Sequence, residues 1–559
     1  MTTHKTKQSS SMFELGDGRM SEQDRHEILS DLAQEMQGKQ QTFLGYQVNQ
    51  ELDYSAFAPF LNVHINNAGD PFTPGNMTMN SKEMEKAVLD YYADLWNAKT
   101  PHQNTTGDSY WGYTLSMGST EGNVYGIWNA RDYLGGKVLL SDPEAEEVAL
   151  EASKDGGAKK APVGVAYQQG EMENGNENAF RPIAFYSQDT HYSIVKAMRV
   201  LDFTTYYDQA VATGEECPLV YPDDFPTGFS SKYMGKSGWP LEVPSNDDGS
   251  IHIPSLAKLV TFFAERGHPI FVCFNYGTTF KGAYDDIESA VAALVPILKE
   301  NGMYERAVTY ETDDAVKTST RTGYWFHVDG ALGAAYMPYI EKAIDAGELE
   351  LPEDFAYRPF DFRIPEVHSI TCSFHKYAGL PFPSGIFMGK TKNQLLPPDD
   401  PMYIGSPDTT FAGSRNGLAG MMMWDFLAKH SEEDHIAQVV KNEEVAAYAT
   451  LRLQKLEEEL NSTLWVERSP LSLTLRFKRP SEKIIYKYSL SCEELYVDGA
   501  KRGYAHIFCM NHVTEDLIDQ LVEDLRTPGA FPEQMKVERD EDAHDEHNVY
   551  SPTIGKSFK

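Results

Sequence analysis

Between Tyr110 and about Leu427 the chain alternates short β-rich apolar runs with helical stretches: PIFVCFNYGTTF is followed by YDDIESAVAALVPILKE, and GYWFHVDGALGAA and HSITCSFHKY come after it. That alternation predicts an α/β fold, a mostly parallel sheet covered by helices. Upstream, SEQDRHEILSDLAQEMQ predicts a helix opened by Ser21 as its N-cap, and the chain turns apolar at FAPFLNVHINNAGDPF. A second helix follows Ser81, with Met84, Val88, Tyr91, Tyr92 and Leu95 at helical spacing. Residues 1–109 therefore read as an arm and dimerisation segment, and 110–427 as the large domain. After about Ala428 come a long charged helix, strand-like LSLTLRFKRP and HIFCMNHV, and helical EDLIDQLVEDL. They predict a small α+β C-terminal domain over 428–535, ahead of an acidic tail at 536–559. The stretch 141–180, dense in Glu, Gly, Asn and Lys, reads as a surface insertion without chemistry.

At 559 residues and 62.8 kDa the chain exceeds one compact core, and 41% hydrophobic with 12% aromatic residues excludes a disordered protein. Its 83 acidic against 49 basic residues give a net charge of -34, which would repel phosphate backbones and anionic membranes. No nucleic-acid or membrane partner is expected. A polar N-terminus, MTTHKTKQSS, with no apolar run behind it points to no signal peptide and a cytoplasmic protein. The five cysteines form no C-x-x-C pair. His544 and His547 are spaced like ligands but sit in the tail with no helix to hold them, so no metal site is expected.

Four places carry candidate chemistry. In LSMGSTEGNVYGIWNAR a strand runs into Gly118, Ser119 and Thr120 and then into a helix, where free amides and two hydroxyls make a phosphate cradle. A plain Ser/Thr cap would look the same, and the sequence is neither a P-loop nor GxGxxG. Asp329 lies near the C-terminal end of an apolar strand, where ligands bind in open α/β sheets. His191, in SQDTHYSIVKA, could set an imidazole over a flat ring or serve as a satisfied core histidine. Lys376, in SFHKYAGLPFPSG, ends a strand before a Gly/Pro-rich turn. A lysine, a phosphate cup, a carboxylate and a flat group are together what pyridoxal phosphate requires.

With INNAGDPF, YWGYTLSMGSTEGNVYGIWNAR, DTHYSIVKA, NYGTTFKGAYDDI, HVDGALGAA, SFHKYAGLPFPSG and DTTFAGSRNG in this order, the chain resembles the group II pyridoxal-phosphate-dependent amino-acid decarboxylases over roughly 43–525. The resemblance is strongest to the bacterial valine and methionine decarboxylase branch, which is related to the histidine and serine decarboxylases. It implies a fold-type I enzyme, aspartate aminotransferase-like, with a mostly parallel seven-stranded central sheet. It implies pyridoxal 5'-phosphate carried on Lys376, Asp329 at the pyridine nitrogen, His191 stacked on one ring face and Ala331 on the other. Ser119, Thr120, Ser373 and His375 would hold the phosphate, with Thr279 near the ring substituents. Tyr403, in the Pro/Gly-rich PPDDPMYIGSPDTTFAGSRNG, would protonate Cα from the partner subunit of a homodimer whose active sites lie at the subunit interface.

The expected reaction is decarboxylation of an apolar L-amino acid (methionine, valine or leucine) to the primary amine. Phe60, Leu61, Val63 and Ile65 offer apolar walls, and Phe60, His64, Asn66 and Asn67 are the expected substrate contacts. His64, Asn66 and Asn67 would equally serve an imidazole, which keeps a histidine or aromatic amino-acid decarboxylase as the alternative. A catalytically inactive binding protein on this fold is the non-enzyme alternative; such a protein usually lacks the lysine or its partners.

Overall fold

A computed structural model describes residues 13–100, 109–139, 170, 175–311, 316–351, 355–395, 401–497 and 500–532. The acidic tail with its two histidines, and nearly all of the 141–174 stretch, lie outside them. Eleven strands are seen among the described residues: β1 (Tyr110–Leu115), β2 (Ile183–Tyr186), β3 (Ile270–Asn275), β4 (Arg306–Glu311), β5 (Val316–Arg321), β6 (Tyr324–Asp329), β7 (Val367–Ser373), β8 (Gly385–Lys390), β9 (Thr474–Lys478), β10 (Ser491–Val497) and β11 (Ala500–Phe508).

The central sheet has the order β1-β8-β7-β6-β3-β2. Strands β2, β3, β6 and β7 run parallel, and β8 is antiparallel to both its neighbours. Residues of β1, β2, β3, β6 and β7 are buried throughout, because helices cover both faces. Parity assigns the faces. Phe271, Cys273 and Trp325 pack with the helices Ser119–Leu134 and Tyr192–Val200. Val272, Phe274, Phe326 and Val328 pack on the other side with Ile253–Ala264, Ile287–Glu300 and Gly333–Asp345.

The expected count of seven strands is corrected to six among the described residues. At the outer edge of β2 a single parallel bridge, Ala184 to Thr205, stands in the seventh position. The segment is too short to extend. Leu201 ends one helix, Asp202 takes a positive φ of 51°, and Thr205 already caps the next helix by accepting from Asp208 N.

Beyond the sheet, Ser21 caps the helix Glu22–Gln40 by accepting from Asp24 N, as its sequence position predicts. The helix Glu432–Leu460 opens with a reciprocal capping box between Ser431 and Asp434. Strands β10-β11-β9 form an antiparallel sheet whose apolar side packs with that long helix and with Glu515–Leu525 in a core of its own. Leu44 belongs to that core, with its amide on the Tyr488 carbonyl and its carbonyl accepting from Phe508 N.

Candidate active site

Strand β1 is antiparallel to β8, and β8 to β7, so β1 points the same way as the four parallel strands. All five therefore end at one edge of the sheet. The loops leaving that edge carry Gly118 to Thr120, His191, Tyr276 to Thr279, Asp329 to Ala331, and Ser373 to Lys376. Topology alone thus gathers residues that lie far apart in sequence.

The Lys376 amine donates to Gln47 Oε1 at 2.8 Å. Burial lowers its pKa to about 8, with Asp329 pulling the other way. Gln47 arrives on a segment pinned at both ends: Leu44 joins the C-terminal sheet, and Asn49 N donates to the Lys376 carbonyl at 2.9 Å. Gln47 Nε2 is buried without a partner.

Asp329, the last residue of β6, accepts from Ala331 N on Oδ1 at 3.2 Å and from Asn123 Nδ2 on Oδ2 at 2.8 Å. Burial raises its pKa, and Lys376, Asn123 and Ala331 oppose that shift. His191 caps the helix Tyr192–Val200 with Nδ1 accepting from Ser193 N at 3.3 Å, and it meets Ser193 Oγ at 2.8 Å. Its ring stays neutral, because burial first, then Lys376 and Lys196, hold its pKa down at about 3.

Gly118 adopts φ 67°, and a Cβ there would stand 2.7 Å from His375 Cε1, so the turn into the following helix needs glycine for conformation and for space. Ser119 N donates to Ser373 Oγ at 3.0 Å and the two hydroxyls lie 2.7 Å apart. Glu121 holds the approach to this turn, its Oε2 accepting from Ser116 N at 2.8 Å and Met117 N at 2.9 Å. His375 Nδ1 faces Ser384, and burial, followed by Lys376, lowers its pKa to about 4. Thr120, Thr279 and Ala331 are half-buried, while Thr278 is buried and closes its own turn by accepting from Ala283 N at 2.9 Å.

These residues fit pyridoxal phosphate. A buried amine, an acceptor carboxylate, a neutral imidazole and a hydroxyl pair at a helix N-terminus share one sheet edge, and Gln47 brings an unpartnered buried amide beside the amine.

The other expected residues have surroundings of their own. Tyr403 is 83% exposed on a turn fastened by Asn76, which donates to the Ile404 and Met402 carbonyls at 2.6 and 3.2 Å. Phe60 and His64 are exposed. The amide of Asn66 is engaged with Ser414 and Arg415 N, and that of Asn67, fully buried, with Glu85 and Ser81. Asp70 is spent on Trp111 and Thr409. Among the described residues no hydrogen bond or ring contact joins Phe60, His64, Asn66 or Asn67 to Lys376, Asp329 or His191.

Sequence reading missed Gln47, Asn123 and His327. Gln47 carries no motif. His327 was detectable, since it stands two residues before Asp329 and so faces the same side of β6.

Comparison with known proteins agrees with pyridoxal phosphate as the cofactor. Residues 240–460 match the pyridoxal-dependent decarboxylase conserved domain. The L-methionine decarboxylase of Streptomyces sp. 590, crystallised with L-methionine methyl ester, is 38% identical, with a TM-score of 0.81 over 92% of this chain and 97% of that one. Histidine decarboxylase of Morganella morganii is 27% identical over 86% of this chain and 91% of its own length. Serine decarboxylase 2 of Oryza sativa is 26% identical over 89% and 77%.

Proposed function

The chain belongs to the pyridoxal-dependent decarboxylase family, and from that premise we propose that it decarboxylates a medium-sized apolar L-amino acid, methionine first, to the primary amine and carbon dioxide. It is an amino-acid decarboxylase that uses pyridoxal 5'-phosphate. The observation that carries the substrate is the 38% identity to the Streptomyces L-methionine decarboxylase along nearly its whole length, against 26–27% to the serine and histidine enzymes named above.

In this reading Lys376 binds the cofactor through its amine, and its lowered pKa leaves a larger neutral, nucleophilic fraction near pH 7 than a surface lysine has. Asp329 holds the pyridine nitrogen, His191 and Ala331 confine the ring, and Thr279 lies near its substituents. Ser119, Thr120, Ser373 and His375 hold the phosphate at the helix N-terminus. When bound, pyridoxal phosphate supplies the electron sink for the pair left as the Cα–carboxylate bond breaks. Tyr403 Oη then gives the proton that Cα requires. Its exposure on this chain suits a residue that would serve the partner's site, which supports the proposal of a homodimer with composite active sites, and we place that homodimer in the cytoplasm as a proposal of its own.

Imidazole in a substrate pocket needs buried polar partners. Asn66 and Asn67 are already bonded to Ser414, Arg415, Glu85 and Ser81, which leaves Gln47, whose Nε2 is buried and unpartnered beside Lys376, as an amide able to serve an imidazole. Apolar walls discriminate by only about 1–3 kcal/mol per methylene, so overlapping use of methionine, leucine and valine is expected. Competition with equal methionine, leucine, valine and histidine tests this. Methylthiopropylamine should lead the products, and dominant histamine would replace the proposal with a histidine decarboxylase.

A further inference from the structure

Asn123 is 1% exposed on the helix Ser119–Leu134, and its amide has three partners. Nδ2 meets Asp329 Oδ2 at 2.8 Å and Ser193 Oγ at 3.0 Å, and Oδ1 meets His327 Nε2 at 2.9 Å. Beyond His327, Nδ1 meets Ser369 Oγ at 2.8 Å, and Ser369 Oγ also meets Trp325 Nε1 at 3.0 Å.

The direction of every bond in this set can be derived. An indole nitrogen only donates. Ser369 Oγ accepts from Trp325, and because the Asp329 carboxylate accepts from Asn123 Nδ2, the amide Oδ1 faces His327 Nε2 and takes the ring's proton there, leaving Nδ1 to accept from Ser369. Burial keeps His327 neutral, with a pKa of about 3, so the ring holds one N–H, and with Nδ1 accepting that proton is on Nε2. It goes to Asn123 Oδ1. The amide nitrogen then faces Asp329 and Ser193, as a carboxylate and a hydroxyl oxygen both accept. Ser193 Oγ, having accepted, gives its proton to His191 Nδ1, which also accepts from Ser193 N.

We infer that Asn123 is a positioning residue at the fork of a one-way hydrogen-bond chain, which starts at the Trp325 indole, passes Ser369 and His327, and ends by holding the Asp329 carboxylate on one branch and, on the other, turning the Ser193 hydroxyl to join Ser193 N in holding His191 as its Nε2–H tautomer. With Asn123 and Ala331 donating one N–H to each oxygen, Asp329 is stabilised as the anion that a pyridine N–H needs. The Nε2–H of His191 is left as the donor for an acceptor in the site. The consequence for catalysis rests on the cofactor reading above; the polarity of the chain does not.

Selective ¹⁵N labelling of histidine and long-range ¹H–¹⁵N spectra test the inference without turnover, with His191→Gln and His327→Gln assigning the two signals. Both rings should show the Nε2–H tautomer before and after pyridoxal phosphate is added, and an Nδ1–H tautomer at either would overturn the chain. In Asn123→Leu, His327, deprived of its acceptor, should become a tautomer mixture, while His191, whose Nδ1 still accepts from Ser193 N, should keep Nε2–H. The cofactor dissociation constant, read by quenching of tryptophan fluorescence, should rise about 10- to 100-fold, the value of one hydrogen bond to a charged group. An unchanged His327 signal with an affinity within twofold of wild type overturns the role of Asn123. Should Asn123→Leu not fold, Asn123→Asp keeps an acceptor for His327 Nε2 but ends the donation to Asp329, so His327 must stay Nε2–H while the cofactor affinity falls about 10-fold or more; an unchanged affinity there overturns the role of Asn123. Wrong tautomers in a protein that releases amine would refute this inference alone, and correct tautomers in a protein that releases none would refute the proposed function alone.

Discussion

Arg415 and Glu85 form an ion pair whose side chains are 1% and 0% exposed, and removing one partner tests whether it holds the active-site surroundings together. Glu85 accepts from Thr114 N and Thr114 Oγ1 at 2.9 Å, from Asn67 Nδ2 at 2.8 Å, and from Arg415 Nη1. Glu85→Ala leaves the guanidinium with the carbonyls of Gly69 at 3.1 Å and Thr114 at 3.5 Å, while Arg415 Nε is already buried without a partner. A buried charge stranded in this way costs about 3–5 kcal/mol. The double variant Glu85→Leu/Arg415→Met replaces the pair with apolar groups and should recover part of that loss, though Thr114 N and Asn67 stay unsatisfied. Urea midpoints and slopes at fixed protein concentration measure both. The reasoning fails if Glu85→Ala costs under about 1 kcal/mol, or if the double variant loses the full sum of the two single changes.

Lys376→Ala should abolish turnover, the visible absorbance of bound cofactor and the borohydride-trapped adduct together; an adduct that persists would move the attachment to another lysine. Tyr403→Phe should bind pyridoxal phosphate normally while amine release falls about 10²- to 10⁴-fold, the usual worth of a positioned proton donor, and unchanged release would exclude Tyr403. Acid should destabilise the protein from pH 6.5 downward. His191 and His327, at about 3, and His375 and His435, at about 4, all have folded pKa values below 6.5, so between those values the unfolded chain binds more protons and stability falls as pH falls. Each contributes a slope of up to about 1.4 kcal/mol per pH unit in that window, and denaturant midpoints that stay level from pH 6.5 to 5 would contradict it.

Much of the fold was legible because its signals are local. Apolar runs, the Ser21 and Ser431 caps and the glycines at strand ends are set by the few residues around them, and the observed strands β1, β3, β6 and β7 fall within the motifs that predict them. The strand count was not local. Whether Phe203 to Thr205 extends into a strand is decided by the helices on either side, which leave room for one bridge. The surroundings of the expected substrate residues show the same dependence. Asn66 and Asn67 look free in sequence, and only the fold brings Glu85, Ser414 and Arg415 from other segments to occupy them.

The same distinction explains which active-site groups a motif can reveal. Asp329 ends β6 and Lys376 lies in the turn just beyond β7, so a strand pattern and one polar residue suffice to raise both as candidates. Gln47 reaches Lys376 only because its flanking residues pair with Tyr488, Phe508 and Lys376 itself, contacts that span more than three hundred residues of sequence. Asn123 lies within the phosphate-cradle motif yet points away from its hydroxyls, toward β6 and its partners there. Small residues make that approach possible. A Cβ on Gly122 would meet Thr371 Oγ1 at 2.0 Å and one on Gly126 would meet His327 Cε1 at 2.9 Å, so the helix can lie close enough for Asn123 to bond His327 and Asp329 only where those two positions are glycine. The run STEGNVYG therefore combines two features: its first residues open the helix at whose N-terminus the phosphate is proposed to bind, and its glycines let the same helix settle onto β7 and onto β6, the strand that carries the carboxylate.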